Sequence, residues 1–349
     1  MNTYIFEKKD FTLCDVPVPD GYPQSQTHCG ILFYEGHFYL CSSPYPNKKR
    51  PRWQVYLRYA IKKMTFGIIG YFKDGEIYEN PCLYIGKSYS QNDIPTQFVP
   101  CVPFPLQGTP EKLNGLPAFN SDPDIFIEEG KLFFLNRTVY RTKILEHGYE
   151  SKTKIWLIRG AIKDNNFNLE EIDVMKFEKC PLISPCITKY KGRYIFTYLD
   201  TNSAIDANTF KGLYIQKVDD ISELSDNNHY DKVNVHSGDF LPWHMSLFEY
   251  EGKLYTIIAC VKKGDLSRKI WQMLGVFNES LTELNIYETP LTDYHSYRGS
   301  ALVRDDGMFI LYSTTLWEKI EGSKSVDGRD IIVAQMPFKE LLLRIGQQQ

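Results

Sequence analysis

The chain has 349 residues, 43% of them hydrophobic and 14% aromatic. That is enough apolar material for a large core and excludes a disordered chain. A formal net charge of -3 excludes the extended basic stripe that a nucleic-acid partner requires.

Taken from the N-terminus, residues 1–13 carry Glu7, Lys8, Lys9 and Asp10 and no long apolar run. They read as neither signal peptide nor membrane anchor, so the expected location is cytoplasmic, with no membrane partner. Residues 11–18 read as a short strand. The basic run Lys48, Lys49, Arg50 and Arg52 sits beside Pro46 and Pro51 and reads as a solvated loop. Eight scattered cysteines (Cys14, Cys29, Cys41, Cys82, Cys101, Cys180, Cys186 and Cys260) form no CxxC pair, and buried free thiols are expected.

A hairpin recurs five times along the chain. Apolar runs starting at Ile31, Ile125, Ile187, Leu247 and Leu302 each meet a charged residue and then Gly36, Gly130, Gly192, Gly252 or Gly307. A second run rich in Tyr, Phe and Leu follows each turn. Glycine suits these turns because it accepts positive φ without steric cost. Eight positions before the glycine stand His28, Asp122, Ser184 and His244, while Arg298 precedes Gly307 by nine. A polar residue therefore opens the first strand of every copy.

Five such units in register predict an all-β fold, a single five-bladed β-propeller over residues 1–349. In that architecture the first strand of each blade lines a central channel, so the five polar openers should converge at one end of it. The first interval between openers is the longest, which places an insertion within residues 44–75 or 93–115. Residues 11–18 would then complete the last blade as a clasp. Residues 337–345 fit either a C-terminal helix or a ring-closing strand.

The openers, with Asn120-Ser121-Asp122-Pro123-Asp124, Leu241-Pro242-Trp243-His244 and Tyr297-Arg298-Gly299, give the chain a resemblance to the five-bladed propeller glycoside hydrolases. These are the clan of family 43 arabinanases and xylosidases and family 32 and 68 fructan enzymes. The resemblance implies a carbohydrate-active protein with an oligosaccharide or glycan partner. It also implies a base, an orienting Asp and an acid on the first three blades. Only Asp122 matches by position, because His28 and Ser184 stand where the clan has carboxylates.

From the residues, Asp122, His28 and Asp200 are the candidate catalytic groups: two carboxylates able to flank a scissile bond, and a histidine able to pair with Asp122 and move protons near neutrality. Candidate substrate-binding residues are His244, Arg298, Trp243, Tyr297, Arg137, Asp124, Asp239 and Ser184. Arg298 would clamp an anionic sugar or else pair with a channel Asp. Trp243 and Tyr297 would stack on a sugar ring or pack in the core. Asp124 is expected to hydrogen-bond neighbouring strands deeper in the channel. No metal site and no cofactor are expected, since a lone His specifies no metal and no oxygen-rich loop supports a channel calcium. A glycoside hydrolase, a noncatalytic glycan-binding propeller, and a sugar transferase or lyase all remain open readings.

Overall fold

The structure is a computed structural model that describes residues 4–18, 24–44, 53, 57, 60–61, 64–65, 81–87, 93–101, 112–113, 116–145, 148–163, 166–175, 182–201, 210–226, 229–265, 269–318, 320–325 and 328–346. The basic run at 48–52, Cys180 and most of the two candidate insertions lie outside the described residues.

The described strands fall into antiparallel groups. After β1 (Thr12–Leu13), the first group is β2 (Gln26–Tyr34), β3 (His37–Pro44), β4 (Cys82–Gly86) and β5 (Phe98–Pro100), hydrogen-bonded in that order. The second runs from β6 (Lys112–Leu113) through β7 (Leu116–Glu128), β8 (Lys131–Leu145) and β9 (Gly148–Lys163) to β10 (Asn166–Met175). The third comprises β11 (Leu182–Tyr190), β12 (Arg193–Thr201), β13 (Phe210–Val218) and β14 (Asp231–His236). The fourth comprises β15 (Phe240–Tyr250), β16 (Lys253–Lys262), β17 (Ile270–Phe277) and β18 (Glu283–Ile286). A parallel pairing of β14 with β18, through Val235 and Leu284, joins these two groups edge to edge. The last group is β19 (Ser296–Val303), β20 (Met308–Thr315) and β21 (Ile331–Pro337), followed by α1 (Phe338–Gly346).

The first strands of these groups are neighbours in a ring: β2 meets β7, β7 meets β11, β11 meets β15, β15 meets β19, and β19 returns to β2. The fold is a β-propeller. Its ring is clasped by β1, which adds to the edge of β21 through Thr12 to Val333 and Leu13 to Ile332. The strand expected at 11–18 thus plays the clasp role through a shorter segment. The C-terminal segment resolves to the helix. Phe338, Leu341 and Ile345 are buried on one face of α1, packed with Phe248, Phe309 and Leu311. Seven free cysteines among the described residues are all buried.

The hairpin turns explain the register. In four of them both central residues have positive φ: Glu35 (46°) and Gly36 (79°), Glu129 (48°) and Gly130 (76°), Lys191 (48°) and Gly192 (82°), Glu251 (48°) and Gly252 (72°). These are tight two-residue turns whose twist matches the strands they join. The fifth turn is one residue longer. Val303 pairs with Phe309, the Gly307 amide donates to the Arg304 carbonyl at 2.8 Å, and only Gly307 has positive φ there. The extra residue puts Arg298 nine positions before its glycine while leaving it in register with the other openers.

Candidate functional site at the channel

Each first strand carries a β-bulge at or beside its polar opener. The register slips between Thr27 and Gly30, Ser121 and Asp124, Ile183 and Cys186, Pro242 and His244, and Ser296 and Gly299. A bulge inserts one unpaired residue and re-aims the side chains around it. In three strands the opener itself takes the left-handed conformation, with φ of 59° at His28, 51° at Asp122 and 51° at Ser184. Such a conformation is costly for a non-glycine residue and persists only when surrounding contacts hold it. Here those contacts run between blades.

All five openers are buried: His28, Asp122, Ser184 and Arg298 are 0% exposed and His244 is 2% exposed. Asp122 is the hub. Its Oδ1 lies 3.3 Å from His28 Nδ1 and 3.6 Å from His244 Nδ1. Its Oδ2 lies 2.5 Å from Arg137 Nε and accepts from the Ser184 amide at 3.1 Å. The His28 and Asp122 pairing expected from sequence is therefore present, with His244 as a third member. Arg137, a lesser candidate from sequence, is the strongest partner of Asp122. It sits on β8 opposite Ser121, a pairing that only the strand register reveals.

Burial by itself would raise the Asp122 carboxyl, but Arg137, His28, His244 and Arg298 together hold it well below the usual carboxylate range. Burial lowers the His244 imidazole well below its ordinary value, outweighing the pull of Asp122. With His244 neutral, Arg137 is the foremost of the charges that keep Asp122 ionised. A carboxylate fixed this firmly is a poor proton donor and a weak base.

A second layer lies deeper. Arg298 donates to the Pro123 carbonyl at 2.9 Å and to Cys186 Sγ at 3.6 Å, and lies 3.7 Å from Asp124 Oδ1. The expectation of Arg298 as an anion clamp at the mouth is corrected: its guanidinium is wholly buried, and it pairs with Asp124, not with Asp122. Asp124 also accepts the Ile187 amide at 3.2 Å from the next blade, as expected of a residue bracing the channel. Burial pushes the Asp124 carboxyl up to about 6, against the pull of Arg298. Ser184 also acts within the wall: its hydroxyl donates to the Met245 carbonyl at 3.1 Å and accepts the Met245 amide at 3.0 Å. It stitches two first strands together and presents nothing to a ligand.

The other two carboxylate candidates stand apart. Asp200, at the end of β12, lies 3.7 Å from Lys211 with its side chain 26% exposed. Asp239 is exposed in the turn before β15. Among the described residues no hydrogen bond or ion pair links either one to Asp122.

The aromatic candidates do gather here. Trp243 is the unpaired residue of the β15 bulge and Tyr297 lies in the β19 bulge, and both rings are partly exposed. Tyr297 stands 5.1 Å from His28, 4.9 Å from His244 and 5.1 Å from Trp243, centroid to centroid. Together they make an aromatic rim over the polar hub. Arg329 was not foreseen from sequence; its guanidinium lies 5.5 Å from the Tyr297 ring centre and donates to Thr27 Oγ1 at 3.5 Å.

The segment carrying Arg329 depends on Gly328, whose φ is +69° and whose added Cβ would meet the Glu318 backbone nitrogen at 2.6 Å. Gly328→Ala combines left-handed strain of about 1–2 kcal/mol with a backbone clash. It should lower the melting temperature measurably and weaken whatever the Tyr297 rim binds. An unchanged melting curve would show that this segment tolerates the side chain.

No protein-family profile matches this chain, and no curated protein is detectably similar in sequence. Solved structures match over nearly its whole length. An N-acetylgalactosamine deacetylase from F. plautii, solved with blood group B trisaccharide, superposes with TM-score 0.57 at 12% identity, covering 93% of this chain and 93% of its own. An alpha-L-arabinofuranosidase from Lactobacillus brevis gives TM-score 0.54 at 12% identity over 90% and 91%. CoXyl43, a GH43 beta-xylosidase/alpha-arabinofuranosidase from a compost microbial metagenome, gives 0.53 at 13% over 92% and 95%. The chain thus has the propeller fold of these enzymes, as its blade openings suggested.

Proposed function

We propose that this chain is a carbohydrate-active propeller, each strand group forming one of five blades, that binds a glycan where the channel opens under Trp243 and Tyr297. The observation that carries the reading is the juxtaposition of two partly exposed aromatic rings with a buried cluster of His28, Asp122 and His244. Indole and phenol faces match the apolar face of a pyranose, and polar groups beneath them can hold hydroxyls. Proteins of this fold acting on xylosides, arabinosides and N-acetylgalactosamine support the assignment by analogy.

Glycoside hydrolysis in its usual form needs two carboxylates about 5–10 Å apart. Arg137 and its neighbours keep Asp122 ionised, so it is unsuited to be the proton donor of such a pair. The hydrolase reading therefore needs its acid from a group other than Asp122. A glycan-binding role without turnover is the second reading, favoured by that same observation.

A glycan panel read by calorimetry and by product release separates these readings. Trp243→Ala should weaken the best ligand about tenfold, the loss expected from roughly 1.4 kcal/mol of stacking, with the melting temperature nearly unchanged. Turnover of that ligand by the unmodified protein would identify an enzyme, and binding alone a recognition module. Failure of every glycan to bind, or indifference to Trp243→Ala, would remove the proposal.

A further inference from the structure

We propose that His28, Asp122 and His244 form a binding site for a divalent transition-metal ion. The inference goes beyond glycan recognition and stands without it.

Three ligand-type atoms converge at the centre of the ring. His28 Nδ1 and His244 Nδ1 lie 3.3 and 3.6 Å from Asp122 Oδ1. One ligating atom from each residue falls within 4.8 Å of the other two. An ion bound at about 2.0–2.2 Å to imidazole nitrogen and carboxylate oxygen sets its ligand atoms roughly 3–3.5 Å apart. The His28 edge sits at that spacing and the His244 edge just beyond it, so small side-chain rotations suffice to close the site.

The ligand set is the second observation. Two imidazoles and one carboxylate suit zinc, iron or manganese and leave coordination positions open. They suit calcium poorly, since calcium takes six to eight oxygens. All three side chains are buried to 2% exposure or less. Neither Asp122 Oδ1 nor either ring nitrogen of His244 has a hydrogen-bond partner. Unsatisfied polar atoms at such depth are uncommon, and an ion facing them would satisfy several together.

The surroundings orient these atoms inward. Asp122 Oδ2 is occupied by Arg137 and by the Ser184 amide, which leaves Oδ1 turned toward the histidines. His28 Nε2 lies 3.4 Å from Ser121 Oγ, which turns its Nδ1 toward the same point. Outer partners that fix the far side of each ligand are a regular accompaniment of protein metal sites. The ring of Tyr297 lies against both imidazoles, so an open position of the ion would face the aromatic rim. An ion there could polarise a bound oxygen or activate water, which the carboxylates of this site are badly placed to do.

The test uses the full chain, stripped with a chelator and titrated with zinc, manganese and cobalt by calorimetry and elemental analysis. One equivalent of at least one of these ions should bind. His28→Gln and His244→Gln should each weaken it by at least about 100-fold, with circular dichroism confirming the fold. His229→Gln serves as control, because His229 is exposed beside Asp231 and outside the cluster. X-ray absorption of the zinc-loaded unmodified protein should show scattering from two imidazoles, which keeps the test decisive where a variant fails to fold. Absence of stoichiometric binding would overturn the proposal, as would binding indifferent to both substitutions or a spectrum without imidazole. None of these readings uses a sugar, so a failed glycan assay would leave this result unaffected.

Discussion

Replacing Arg298 by methionine should destabilise the protein by about 3–5 kcal/mol, the loss expected when one partner of a buried ion pair is removed. Arg298 is 0% exposed and Asp124 only 6%. Without the guanidinium, Asp124 would remain in the channel with only backbone amides and the Cys186 thiol to oppose its charge, and the Pro123 carbonyl would lose its donor. The carboxyl, already pushed up to about 6 by burial, would move higher once the opposing charge is gone. The measurement is a denaturant midpoint at constant slope. Arg304→Met is the control: Arg304 pairs with Asp306, whose side chain is half exposed, and its loss should stay within about 0.5 kcal/mol. Adding Asp124→Asn to Arg298→Met removes the stranded charge and should recover part of the stability. An Arg298→Met protein as stable as the parent would mean that the guanidinium is free to serve a ligand, and the clamp reading would return.

The architecture was legible because a propeller repeats its turns. Gly36, Gly130, Gly192 and Gly252 mark positions where positive φ is required, and the strand register counted back from them locates the openers. Even the apparent irregularity at Arg298 follows from one added turn residue near Gly307. What sequence could not supply was depth. Simple strand alternation treats every opener alike, yet His28, Asp122 and Ser184 take left-handed φ at their bulges while His244 and Arg298 do not. That difference helps send Arg298 toward Asp124, away from the mouth. The turn spacing did bring His28, Asp122 and His244 to one end of the channel and offered His28 as a partner of Asp122. It could not show that His244 also faces Asp122 Oδ1, because that depends on how each bulge aims its side chain. Arg137 was undervalued because its importance comes from cross-strand pairing with Ser121, which a turn-based reading does not resolve.

Asp122→Asn should reduce both stability and ligand affinity, contrary to what a catalytic carboxylate open to solvent would show. The neutral amide keeps an acceptor for the Ser184 amide but withdraws the charge facing Arg137 Nε, whose side chain is 11% exposed. It also asks a residue in left-handed conformation to hold its place with weaker partners, although asparagine tolerates that conformation better than most. We expect a loss of about 3 kcal/mol, near the lower end for a broken buried pair because Arg137 retains some access to water. The double variant Asp122→Asn with Arg137→Met removes the stranded guanidinium and should melt above the single variant. That ordering is the signature of an electrostatic hub, since additive losses would indicate two independent contacts. If Asp122→Asn melts with the parent and loses only its activity, the hub assignment fails. Asp122 would then be an accessible catalytic group whose neighbours do not restrain it.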